Sequence, residues 1–111
     1  FNQMSIDSIK RQIEGIKRDI EREKAKIAGC REDISKVRVR KSRETQNYAN
    51  RLRSASSTAN RHNIRAQKKR DWESFARDIE REKDKIEYSR KRISDYREDI
   101  KRCRERIKRL R

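Results

Sequence analysis

From Ile6 the apolar residues recur at alternating steps of three and four: Ile6, Ile9, Ile13, Ile16, Ile20, Ile27, Cys30, Ile34 and Val37, with Glu23 in the one polar slot. A second series runs Trp72, Phe75, Ile79, Ile86, Ile93, Tyr96, Ile100, Cys103, Ile107 and Leu110, with polar slots at Glu82 and Ser89. Such spacing, sustained over more than four heptads in each half, is the signature of a coiled coil. The flanking positions are nearly all Lys, Arg, Glu or Asp, so each apolar stripe is narrow. That favours a two-stranded contact over a four-helix bundle, whose helices need wider apolar faces. With no proline and two glycines, a fold built from many turns is excluded. A chain with 30% apolar residues and net charge +16 would ordinarily be disordered. The periodicity argues otherwise.

The two stripes differ in phase. Seam positions in the first half leave remainders 6 and 2 on division by 7, and those in the second leave 2 and 5. One straight helix would not hold both in a single seam. Between them lies Ser54-Ala55-Ser56-Ser57-Thr58-Ala59-Asn60, rich in residues that compete with the helical backbone and serve as caps. If the chain folds back there, facing residues add to a constant, and 116 suits the whole length. It pairs Ile6 with Leu110, Ile16 with Ile100, Cys30 with Ile86 and Val37 with Ile79. The expected fold is therefore all-α: two long helices forming an antiparallel coiled-coil hairpin, turning near residues 54–60. Arm 1 covers about residues 5–53 and arm 2 about 60–110, in one domain spanning 4–111. Met4-Ser5-Ile6-Asp7 reads as a natural start, which makes residues 1–3 an expected cloning remnant. The stretch Arg18 to Ile27 recurs almost unchanged as Arg77 to Ile86, through convergence that charged heptads reach readily or through internal duplication.

Cys30 and Cys103 fall on the seam about 17 residues apart along the expected hairpin, too far for a disulfide, so both are expected as buried free thiols. Together with the lack of a signal-like or membrane-spanning apolar stretch, this points to an intracellular, reducing compartment, while leaving signal-peptide-independent export open. With only His62 to join them, no metal site is expected. Nor is any cofactor. A two-stranded hairpin offers no concave pocket in which catalytic groups converge, and its carboxylates are expected to face water beside basic neighbours. The chain therefore reads as a non-enzyme.

Charge is the feature a structural coiled coil does not need. Residues 1–35 carry net +1 and residues 71–111 net +4, but residues 36–70 hold 12 basic side chains against Glu44 alone, net +11. Folding at the turn gathers these at one tip. There the seam itself turns polar, with Lys41, Glu44, Arg65 and Lys68 at seam positions. Long basic stems can cover Tyr48, Trp72 and Phe75 while their heads reach water. Concentrated charge of one sign repels itself unless an anion neutralises it, and arginine, 22 of the 35 bases, suits phosphate. The expected function is binding of nucleic-acid phosphate backbone without strong sequence preference. Its candidate residues are Lys36, Arg38, Arg40, Arg43, Arg51, Arg53, Arg61, Arg65, Lys69 and Arg70. Tyr48 and Trp72 lie at seam phase and are expected in the core, which leaves little for base readout. The alternative is an adaptor coiled coil binding an acidic protein surface, for example within a secretion assembly, with self-association possible in either case. A second basic cluster, Lys101 to Arg111, suits a helix C-terminus.

In size and layout the hairpin resembles the small helical proteins exported by type VII secretion systems, although neither Gly15 nor Gly29 follows a tryptophan by two, as that family's turn requires. It is also similar in architecture to the coiled-coil arms by which synthetases and translation ATPases reach RNA, and to the stalk proteins of export ATPases. These likenesses are of shape alone.

Overall fold

The computed structural model describes residues 2–111; Phe1, the first of the three expected remnant residues, lies outside the described residues. Two helices of equal length account for nearly all of them: α1 over Asn2–Ser54 and α2 over Thr58–Leu110. They form an antiparallel helical hairpin with no strand among the described residues. α1 covers Asn2 and Gln3, two of the three expected remnant residues.

The expected seven-residue turn contracts to residues 55–57. Ser57 is the reason. Its hydroxyl accepts the Asn60 N–H at 3.0 Å and its carbonyl accepts the Arg61 N–H at 3.1 Å, which starts α2 two residues earlier than expected. On the other side, the Ser54 hydroxyl donates back to the Asn50 carbonyl at 2.9 Å and closes α1.

By contacts the chain divides into two units, residues 1–29 with 85–111, and residues 30–84. In the first, Ile6, Ile9, Ile13, Ile20 and Ile27 of α1 are buried, as are Ile86, Ile93, Ile100, Cys103 and Ile107 of α2. Ile16 and Tyr96, at the same heptad phases, are half-buried. In the second unit the core near the turn is Tyr48, Ala55 and Ile64, with Leu52 and Trp72 packed against it. Here the expected seam needs correcting. Arg65 is exposed and Ile64 takes its place inside. Running back from Phe75 the inward positions are Trp72, Lys68 and Ile64, steps of three, four and four. The extra residue lets the stripe drift so that an apolar side chain closes the turn.

Contacts between the arms straddle the expected register. Glu23 meets Arg92, Arg40 lies over Phe75, and Tyr48 bonds Asp71, pairs whose numbers sum to 115, 115 and 119, on either side of 116. Cys103 is buried as a thiol, whereas Cys30, expected buried, is only half-buried. No helix among the described residues is long and apolar enough to cross a membrane.

Candidate functional site

All ten basic residues singled out from the sequence are exposed, and all belong to the unit that contains the turn. They differ in how they are held. The Lys36 ammonium stands 3.7 Å from Glu32. The Arg40 guanidinium lies 5.6 Å from the centre of the Phe75 ring and that of Arg51 5.0 Å from the centre of Tyr48. Arg53 donates to the Asn50 side-chain oxygen, and Arg61 donates to the Ala55 carbonyl at 3.3 Å. Arg38, Arg43, Arg65, Lys69 and Arg70 make no hydrogen bond, ion pair or ring contact among the described residues. Half of the set is therefore free to meet an external anion, and the other half is braced by contacts that leave the charge at the surface.

For Arg40 and Arg51 the bracing comes from an aromatic cluster. Tyr48 and Trp72 meet edge-on with centroids 6.0 Å apart, and Trp72 and Phe75 do so at 5.7 Å. Tyr48 is 1% exposed, and its hydroxyl donates to the Asp71 carboxylate. Burial, together with this acceptor, pushes the Tyr48 phenol above its usual range, so it stays a proton donor. The rings are structural, as their seam phase implied, and the bases that surround them cover them. Two further cations join the cluster that the sequence had marked only as breaks in the seam. Lys41 and Lys68, one from each helix, place their ammoniums 5.7 and 5.2 Å from the centre of Trp72. Lys68 stands one turn before Trp72 on α2, a spacing the sequence shows, whereas the 116 register set Lys41 opposite Phe75 rather than Trp72.

The two arms also enclose an open groove of about 450 Å³ lined by Arg40, Arg43, Glu44, Asp71, Ser74 and Phe75. Among the described residues there is no group of three or more His, Cys, Asp or Glu side chains able to hold a metal ion.

In the other unit one expectation fails. Carboxylates were all expected to face water, but Glu23 is only 3% exposed. Its Oε1 receives Lys26 at 3.1 Å and Nε of Arg92 at 3.3 Å. The hydroxyl of Ser89, also buried, joins these two bases in holding the Glu23 carboxyl below its ordinary range, against the upward pull of burial. Arg92 is itself set between two tyrosines, 5.8 Å from the centre of Tyr88 and 5.6 Å from that of Tyr96, and donates to the Tyr96 hydroxyl at 2.6 Å. The two polar slots Glu23 and Ser89 signalled this layer; what their chemistry could not reveal was that they meet.

No family model matches the chain, and no curated protein or solved structure is significantly similar to it.

Proposed function

We propose that the tip of the hairpin binds the phosphate backbone of nucleic acid without strong sequence preference. The observation that carries this reading is the concentration of charge: 12 bases and one acid in residues 36–70, with the ten singled out all at the surface of one unit. A device for solubility alone works with mixed signs, and like charges gathered this densely lower the stability of the folded chain. Phosphate relieves that repulsion, and condensed counterions released from the polyanion add a large salt-dependent gain. Burial of Tyr48 and Phe75 removes two rings that would otherwise read bases, which favours backbone contact over sequence readout.

Fluorescence anisotropy with short labelled DNA and RNA at several salt concentrations tests this. Neutralising about six phosphates gives a log–log salt slope near −5 on duplex, and a shallower one on single strands. Replacing Arg38, Arg40, Arg43, Arg53, Arg61 and Lys69 by Gln abolishes the binding and leaves helicity intact. Equivalent changes at Arg77, Arg81, Lys83 and Lys85, where acids alternate with bases, have much less effect. If neither DNA nor RNA binds at ~50 mM salt, or if the tip variant binds as the parent does, the reading fails. An acidic protein surface then becomes the partner to seek.

A further inference from the structure

The tip presents two unlike faces. Successive residues of a helix project about 100° apart, so Arg40 and Lys41 fall on either side of the seam. Their contacts follow: Arg40 lies over Phe75, Lys41 over Trp72. On the Arg40 side the groove brings together Arg40, Arg43 and Glu44 of α1 with Asp71, Ser74 and Phe75 of α2. Glu44 and Asp71 are the only carboxylates between residues 36 and 72, and both are here. Two arginines lining this groove are thus opposed by two carboxylates.

The other side has no such balance. Arg38 and Lys41 are three apart on α1, while Arg65, Lys68, Lys69 and Trp72 stand at i, i+3, i+4 and i+7 on α2, each set forming one stripe. The stripes belong to one face because Lys41 and Lys68 reach the same indole from opposite helices. Lys41 and Lys68 thus flank Trp72, and Arg38, Arg65 and Lys69 extend the same two stripes. The carboxylate that follows on the α2 stripe is the exposed Glu73, one turn after Lys69, so that five cations face one acid. Arg38, Arg65 and Lys69 on this face have no partner among the described residues.

We infer that the phosphate backbone docks on the Trp72 face, bound by Arg38, Lys41, Arg65, Lys68 and Lys69, and that the Arg40–Arg43 groove faces away from it. This rests on the nucleic-acid reading above and narrows it to one side of the tip. Phosphates arriving there draw the Lys41 and Lys68 ammoniums off the indole, and Trp72 is the only tryptophan in the chain, so its emission reports the contact directly.

Two variants of the full chain with equal loss of charge separate face from total charge: Arg38→Gln/Arg65→Gln/Lys69→Gln and Lys36→Gln/Arg40→Gln/Arg43→Gln. Each is titrated with a labelled 20-base-pair duplex at several salt concentrations, after circular dichroism confirms its helicity. The first variant is expected to bind at least tenfold more weakly than the parent, with a salt slope flatter by about 2.7, the share of three phosphates. The second is expected to stay within about threefold, less than half the tenfold step that 1.4 kcal/mol represents. The parent's Trp72 emission changes on saturation. Equal losses in the two variants, a larger loss in the second, or unchanged Trp72 emission at saturation overturns the choice of face while leaving tip binding in place. A parent chain that fails to bind the duplex overturns both.

Discussion

At Glu23 a carboxylate stands at a seam position where an isoleucine would pack, and it is kept charged. Its partners come from two helices: Lys26 one turn away on α1, and Ser89 and Arg92 on α2. A buried ion pair is weak evidence of stability, because desolvation offsets much of the attraction; its better attested use is to fix register. Sliding the helices by one heptad would put Glu82 and Lys85, or Tyr96 and Asp99, in place of Ser89 and Arg92, and so bring Glu23 up to another carboxylate in either direction. Because the folded state lowers its pKa, the charged form is the stabilised one. Its contribution is complete above the unfolded value of about 4.5 and is lost as pH falls through the lower folded value. Measured by urea denaturation, the stability difference between the parent and Glu23→Gln is expected to stay constant from neutral pH to about 5 and to shrink on further acidification. A difference that grows as pH falls would contradict the depressed pKa. At the tip, Tyr48→Phe removes the donor to Asp71 and is expected to cost about 1–3 kcal/mol in the same assay, since a partly buried carboxylate is left short of a partner.

Each helix has 53 residues, and intrinsic propensity contributes less to such lengths than tertiary packing of one stripe does. Propensity still acts locally. Gly29 lies inside α1, and a Cβ added there would meet no atom within 4 Å. Gly29→Ala is therefore expected to raise stability by about 0.5–1 kcal/mol, seen as a higher thermal midpoint, because the unfolded chain loses freedom without any clash in the helix. Ser57→Ala removes the hydroxyl that caps α2 and is expected to lower stability by about 1 kcal/mol. The element boundaries were legible to within a few residues. The heptad pattern cannot distinguish a capping serine from its neighbours in Ser54-Ala55-Ser56-Ser57, so the turn was expected longer than the three residues it occupies.

Across the whole molecule, the isoleucine-rich cores and the acid-poor stretch of residues 36–70 lie in different segments. Ile20 and Ile100 are buried in the first unit, and truncating either to Ala is expected to cost about 2–4 kcal/mol. Reversing Arg38 or Lys69, exposed and without partners, is expected to leave stability unchanged or to raise it by relieving repulsion. Equal destabilisation at the two sets would contradict that division. The hairpin has its own test: cysteines at positions 16 and 100, in a chain freed of Cys30 and Cys103, are expected to crosslink within one chain, whereas exclusively dimeric product would indicate exchanged arms.

Isoleucine every three and four residues, a phase change in mid-chain and a serine-rich stretch at that change were enough to specify two antiparallel helices and an approximate register, because a narrow apolar stripe leaves one way to be buried. The same linear count located the excess charge in residues 36–70. It could not divide that charge between two faces. Whether Arg40 and Lys41, adjacent in the chain, act together depends on where the facing helix places Phe75, Trp72 and Asp71, and so does the identity of the buried carboxylate. Glu23 and Glu44 both interrupt the heptads; Glu23 is sealed in by Ser89 and Arg92, whereas Glu44 lines an open groove. Burial and pairing depend on what lies within a few ångströms across the seam. For partners more than forty residues away in the chain, only packing brings the groups together.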